Sequence, residues 1–194
     1  MELLVVRHAH AGSREGWQGD DRLRPLSDRG RAEALALVPT LSAHEPHRIV
    51  SSPLVRCLET VEPVASCLSL AVEASDRLGP DADRGAAELV RELLADMAQE
   101  MARGNDAGAV VICTHGETIE ALQRRLPRSA KLGFGPGGAH EKGSVWVLRA
   151  RGGRFVSARY LPPGGSRTGS PIGSAGDSVR GGPLGPGDFL DEEV

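Results

Sequence analysis

Two apolar runs, Glu2–Val6 and Ala109–Thr114, each give way to a histidine. The stretches are Val5-Val6-Arg7-His8-Ala9-His10 and Val110-Val111-Ile112-Cys113-Thr114-His115-Gly116. Runs this short and this apolar, without polar alternation, read as strands covered on both faces, as in a parallel sheet. Open α/β folds build ligand sites in the loops at the carboxyl ends of such strands. A third short run, Arg48–Ser51, leads into Ser51-Ser52-Pro53-Leu54-Val55-Arg56. Two imidazoles and two guanidinium groups at strand ends suit a phosphate. The guanidinium forks pair with its oxygens, and a neutral imidazole can attack its phosphorus.

The intervening pattern supplies the helices of an α/β domain. Gly12–Leu26 is a polar loop carrying Trp17. Ser27 is placed to cap a helix running to about Ser42, with Ala32, Leu35, Ala36 and Val38–Leu41 expected as its apolar stripe. Pro53 suits a helical first turn, and Leu54, Leu58, Val61 and Ala65 follow at helical spacing. Leu70–Glu73 reads as a short edge strand, Ala86–Arg103 as an amphipathic helix and Glu117–Leu126 as another helix. Ser144–Arg149 and Arg154–Tyr160 alternate around Arg151-Gly152-Gly153, a hairpin pattern. The 194 residues suit one domain, placed at 1–161. From Pro162 the chain turns to Gly, Pro and Ser with a final acidic Asp191-Glu192-Glu193. Residues 162–194 are therefore expected to form a flexible tail.

Bulk properties narrow the partners. A formal net charge of -3 gives no reason to expect a nucleic-acid or membrane surface. Lys131 and Lys142 are the only lysines, so the cations are almost all planar guanidinium forks. No segment approaches the roughly 20 apolar residues of a membrane span, and the N-terminus carries no leader pattern. Cys57, Cys67 and Cys113 are odd in number and lack ligand spacing, so they read as buried free thiols in a reducing, cytoplasmic setting. His8-x-His10 could chelate zinc, yet no nearby acidic or histidine cluster completes a ligand set. No metal or other cofactor is expected. His44, His47 and His140 read as surface residues.

Taken together, these stretches resemble the histidine phosphatase (phosphoglycerate mutase-like) superfamily over about residues 2–160. The marks are Arg7-His8 after the first strand, Ser-Ser-Pro-Leu-x-Arg ending at Arg56, Thr114-His115-Gly116, and Pro25-Leu26-Ser27-x-x-Gly30 before the first long helix. The resemblance implies a three-layer α/β/α sandwich with a mostly parallel central sheet. It also implies that His8 is the nucleophile forming a phosphohistidine, and that Arg7 and Arg56 hold the phosphoryl oxygens. A protonated His115 would donate to those same oxygens. More closely, Gly12-Ser13, Gly19-Asp20-Asp21, Arg24-Pro25-Leu26, Arg29-Gly30-Arg31-Ala32 and Lys142-Gly143-Ser144-x-Trp146-Val147-Leu148 look like one particular branch. It is the phosphatase domain that actinobacterial Nudix hydrolases, enzymes of nucleoside polyphosphates, carry at their C-terminal end. The length leaves no room for a Nudix part. That similarity makes Ser13, Arg14, Arg22 and Arg24 candidate substrate contacts, with Trp17 as a stacking surface.

The chain departs from the family pattern in three places. Ala9 stands where Gly is most frequent, as in the small phosphohistidine-phosphatase-like branch, and Arg14 stands where an Asn is frequent. Asp76-Arg77-Leu78-Gly79-Pro80 places Pro80 where many members carry the Glu that protonates the leaving oxygen. Asp81 and Asp83 are the candidate replacements, and Glu88 a weaker one. Without a placed acid, leaving groups that need little protonation should be favoured over simple alkyl phosphates. The sequence thus points to a phosphoric monoester hydrolase, independent of metal, acting through a phosphohistidine on His8. Its expected substrate is a phosphohistidine protein or a nucleotide-type or other small-molecule phosphate. A non-catalytic phosphate-binding regulatory domain and a phosphomutase are the alternatives, and the oligomeric state is left open.

Overall fold

The computed structural model describes residues 1–105, 108–126 and 140–164. In chain order they form β1 (Glu2–Arg7), α1 (Asp28–Ser42), β2 (Pro46–Ser51), α2 (Val55–Leu68), β3 (Val72–Ala74), α3 (Asp83–Ala102), β4 (Ala109–Thr114), α4 (Gly116–Arg125), β5 (Val145–Arg151) and β6 (Arg154–Leu161). The strands make one sheet in the order β3-β2-β4-β1-β5-β6. The first four are mutually parallel, while β5 and β6 complete it as an antiparallel hairpin.

Strand pleating divides the core in two. Leu3 and Val5 of β1, with Val110 and Ile112 of β4, face α3 and α4 in a cluster with Val90, Leu93, Ile119 and Leu122. Leu4 and Val6, with Val111 and Cys113, face the other way, onto Leu37 and Leu41 of α1 and Val61 and Val64 of α2. Both faces of β1 and β4 are therefore covered, which is why these two strands lack polar alternation. The result is the three-layer α/β/α sandwich with a mostly parallel sheet.

One expected face is wrong. The buried positions of α1 are Gly30, Ala34, Leu37 and Leu41, whereas Ala32, Leu35 and Ala36 point outward and Leu35 is 64% exposed. The run is apolar on most sides, so composition alone does not select a face. A close approach does: a Cβ on Gly30 would stand 1.9 Å from the His10 carbonyl oxygen. Only glycine lets the helix start sit on the end of the first loop. Ser27 caps that helix as expected, its side chain accepting from the Gly30 amide. Among the cysteines, Cys57 and Cys113 are buried but Cys67 is exposed, a second departure from expectation. Cys67 lies near the solvent-facing end of α2, away from the stripe of Val61, Val64 and Ala65. The expected tail lies outside the described residues from 165 onward. Among the described residues no helix is long and apolar enough to cross a membrane.

Candidate active site

The chain leaves β1 towards α1 on one face of the sheet and leaves β4 towards α4 on the other. A crevice therefore opens between the carboxyl ends of two hydrogen-bonded neighbours, where parallel sheets hold ligands. The register pairs Arg7 with Thr114, and the His8 amide donates to the Thr114 carbonyl at 3.0 Å. The two residues that follow these strand ends are His8 and His115. Their ring centroids are 5.3 Å apart at 62°, and both rings are buried. On the far side of β4 the Ser52 amide donates to the Cys113 carbonyl at 2.9 Å, which brings Arg56, in the first turn of α2, to the same crevice.

Hydrogen bonding sets the state of His8. Its Nδ1 lies 2.8 Å from the Ala9 carbonyl oxygen. A carbonyl can only accept, so Nδ1 carries the proton and Nε2 the lone pair. Burial pushes the His8 pKa down to about 3. The backbone bond opposes that shift, while the charges of His115, Arg56 and Arg7 reinforce it. At neutral pH the ring is uncharged, with a lone pair on Nε2. The Ala9 amide donates to Thr60 Oγ1 at 3.0 Å, and the same hydroxyl donates to the Arg56 carbonyl at 2.6 Å. Thr60 thus ties the His8 turn to the turn carrying Arg56.

Around His8 the groups are positive donors. Arg56 is 4% exposed, with NH1 donating to the Asp21 carbonyl at 2.8 Å and NH2 lying 3.2 Å from Asp21 Oδ2. Arg7 NH1 donates to the His140 carbonyl at 2.5 Å. The Nε–H groups of both arginines are buried without an acceptor among the described residues, and a buried unpaired donor costs about 1–3 kcal/mol. An anion within reach of these groups would relieve that cost. His115 Nε2 lies 2.9 Å from Ser52 Oγ and 3.5 Å from Cys57 Sγ. The N-cap residues of α2 and α4, Leu54 and His115, make no side-chain cap bond, and both helix starts, with their positive dipole ends, lie at this sheet edge. A Cβ on Gly116 would stand 3.1 Å from the Arg7 guanidinium carbon, which explains the glycine after His115.

The first loop divides the other expected contacts. Arg24 is buried within the loop itself, Nε donating to Asp21 Oδ1 at 2.8 Å and NH1 to the Ala11 carbonyl at 2.7 Å. Its donors hold the loop. Ser13, Arg14, Trp17 and Arg22 are exposed. Arg14 reaches Asp21 at 4.0 Å and Arg22 reaches Asp76 at 3.5 Å, while Trp17 Nε1 donates to the Asp20 carbonyl at 2.9 Å. Asp81 is exposed on the loop before α3, and Glu88 is exposed on α3. Asp83 opens that helix, and its side chain lies outside the described set. Thr114 and Thr118 hydroxyls donate to the Leu78 and Gly79 carbonyls, pinning this loop beside His115. His10 Nδ1 lies 2.7 Å from Ser27 Oγ. Among the described residues no three or more His, Cys, Asp or Glu side chains converge as a metal site.

Three participants escaped the sequence reading: Ser52 as partner of His115, Asp21 as partner of Arg56, and His140. Burial alone would raise the Asp21 pKa, but the Arg24 hydrogen bond and the charges of Arg56, Arg24 and Arg14 hold it below the usual carboxylate range. Asp21 is therefore an anion bracing Arg56. The one sequence signal for it was the acidic pair Asp20-Asp21 inside an arginine-rich loop.

Residues 3–80 match the family model described as "Histidine phosphatase superfamily (branch 1)". An "8-oxo-(d)GTP phosphatase" of Mycolicibacterium smegmatis is 38% identical over 161 residues, 83% of this chain and 48% of the relative. The chain thus spans about half the length of that relative. Among solved structures, the protein histidine phosphatase SixA complexed with tungstate superposes with a TM-score of 0.59 at 21% identity, covering 80% of this chain and 92% of that one. The mycobacterial glucosyl-3-phosphoglycerate phosphatase Rv2419c gives a TM-score of 0.62 at 23% identity, covering 85% and 99%. These structural likenesses bear on the fold.

Proposed function

We propose that this chain, which belongs to the histidine phosphatase superfamily, is a phosphatase that works through a phosphohistidine on His8. One observation carries the reading. His8, held neutral with Nδ1–H donating to the Ala9 carbonyl, stands beside Arg7 and Arg56, whose buried Nε–H groups have no acceptor among the described residues. In the first step His8 Nε2 bonds to phosphorus in line as the bond to the leaving oxygen breaks. Arg7, Arg56 and His115 bear the charge on the remaining oxygens. Water then attacks phosphorus, releasing phosphate and restoring His8. Guanidinium groups supply the positive charge that a metal would otherwise bring, so the reading is metal-independent.

The substrate class proposed is a nucleotide-type small-molecule phosphate. Support comes from the relative at 38% identity, an "8-oxo-(d)GTP phosphatase", of which this chain matches about half. The likeness to SixA concerns the fold, so a phosphohistidine protein is the second substrate class. Residues 1–161 are taken as the catalytic unit, acting in a reducing cytoplasm. To test this, wild type and His8→Ala are assayed with chelator in excess. The substrates are nucleoside di- and triphosphates, a phosphohistidine peptide, sugar phosphates and para-nitrophenyl phosphate. Turnover of nucleotides by wild type alone is expected. Equal activity in both proteins, or loss of activity on chelation, would refute the mechanism, and turnover of the peptide alone would exchange the substrate class.

A further inference from the structure

We infer that Cys57 is a positioning residue for His115: its thiol passes a proton to His115 Nε2, and the resulting thiolate keeps His115 a charged donor to the phosphoryl group. This rests on the phosphatase reading above. Cys57 lies in the first turn of α2, directly after Arg56, and is fully buried. Its amide donates to the Leu54 carbonyl at 2.8 Å, which fixes that turn. The sulfur stands 3.5 Å from His115 Nε2, and Ser52 Oγ lies 2.9 Å from the same nitrogen. The Thr114 carbonyl is farther from the sulfur, at 3.9 Å. Nε2 is thus taken up by protein partners, which leaves Nδ1 as the nitrogen that can donate to a phosphoryl oxygen. An imidazolium donates from both nitrogens and adds a positive charge that the neutral ring lacks.

Three side chains meet the His115 ring: His8, Ser52 and Cys57. His8 is neutral and a serine hydroxyl does not ionise near neutral pH, so the thiol alone can become an anion. Thiols ionise most readily at helix N-termini and beside cations. Cys57 has both settings, a helix start without a side-chain cap bond and the neighbours Arg56 and His115. Burial alone would raise its pKa. Hydrogen bonds with Cys113 and His115, and then the charges of His115 and Arg56, hold it below the ordinary thiol value instead. Burial pushes Cys113 the other way, well above that value, so Cys113 keeps its proton. Two thiols driven apart in this manner divide into a proton holder and an anion. The other charges nearby are Arg7, beside the first residue of α4, and Asp21, which pairs with Arg56. Apart from Cys113, the buried cluster around Cys57 is apolar.

The transfer conserves charge. The S–H bond of Cys57 breaks as the N–H bond on His115 Nε2 forms, so a neutral pair becomes an ion pair of zero net charge and no outside acid is consumed. The imidazolium is then in place before a phosphate arrives, as preorganised stabilisation of the transferring group requires. At rising pH the thiolate opposes loss of the imidazolium proton, because an opposite charge in contact favours the charged form. Removing the thiolate should therefore matter most on the alkaline side of the pH profile.

The test compares wild type with Cys57→Ser, which keeps the size but cannot ionise. Cys57→Ala, which puts no hydroxyl in the core, takes its place if thermal melts show the serine variant unfolded. The first readout is the ultraviolet absorbance of thiolate as the free protein is titrated. The difference between wild type and variant should show one thiolate forming below about pH 8.5, where an ordinary thiol titrates. The second is kcat/KM on para-nitrophenyl phosphate across pH. The alkaline limb of the variant should move down by about one pH unit. Its loss should reach about tenfold at about pH 9 and be far smaller at about pH 6. No thiolate in that range would overturn the proposal. An equal loss at every pH would reduce Cys57 to a packing brace, and an unmoved profile would remove it from the reaction; either result overturns the proposal too. The absorbance does not depend on turnover. Wild type inert on every phosphate of the preceding screen would bring down the phosphatase reading, with the thiolate still decided by its own titration.

Discussion

The floor of the crevice and its rim are built on opposite principles. His8, Arg56, Ser52 and His115 are each at most 6% exposed; the His8 and Ser52 amides donate to β4 carbonyls, His115 Nε2 pairs with Ser52 Oγ, and Arg56 donates to the Asp21 carbonyl. On the rim, Ser13, Arg14, Trp17, Arg22 and Asp81 are exposed, and their ion pairs are long, at 4.0 Å for Arg14 and 3.5 Å for Arg22. Exposed pairs of this kind contribute about 0–1 kcal/mol. The floor is organised before any ligand arrives, and such preorganisation is what phosphoryl transfer needs. The rim can change its residues without disturbing the chemistry. In the function proposed above, the floor carries the reaction and the rim the choice of substrate.

The sharpest way to break this division is His8→Ala. Turnover should fall by about 10⁴-fold or more, with no radiolabelled phosphoryl group trapped on the protein after acid quench. Retained turnover would remove the nucleophile from the floor. Arg56→Ala should follow with a loss of about 10²–10³-fold in kcat. Arg56→Lys should restore little of it, because a point charge cannot reproduce the fork that faces Asp21 and the phosphate together.

Asp21→Asn probes the seam between the two regions, since Asp21 belongs to the loop but braces Arg56. A fall of about tenfold in kcat is expected, matching one charge-assisted hydrogen bond. An unchanged kcat would place Asp21 with the rim. Arg14→Ala, Arg22→Ala and Trp17→Ala should leave kcat on para-nitrophenyl phosphate within about threefold, and raise KM for a nucleotide. A collapse of kcat in any of them would erase the distinction.

The last expectation concerns pH and stability. His8 titrates at about 3 in the folded chain against 6.5 as the ordinary value, so below 6.5 the unfolded chain binds the extra proton. Stability should therefore fall as pH drops from 6.5 towards about 3, by at most about 1.4 kcal/mol per pH unit from this group. In His8→Gln that component of the slope should vanish in unfolding curves measured across the range. An unaltered slope would show that burial does not depress the His8 pKa.

Much of this was readable along the chain. The strands Glu2–Arg7 and Ala109–Thr114 stood out because both faces are buried, and a strand buried on both sides leaves a continuous apolar signature. Ser27 announced its helix through cap chemistry that needs only neighbouring residues. The apolar face of α1 did not stand out. Its alanines and leucines surround the helix, and the choice among them was made by contact with the His10 carbonyl. His140 is the more telling case. It lies 132 residues from His8 along the chain, in a polar stretch with no local pattern, and only the packing of residues 140–144 against Arg7 and His8 reveals it.

By itself the sequence determined the strand ends and the groups that stand on them: Arg7-His8, Ser52 to Arg56, and His115-Gly116. These are local consequences of apolar runs, caps and turns. Tertiary structure alone decided the partners of those groups. It turned Arg24 inward, set Asp21 against Arg56 and brought His140 to Arg7. Charge pairing and proton transfer act over a few ångströms in space, and separation along the chain says nothing about that distance until the sheet has closed.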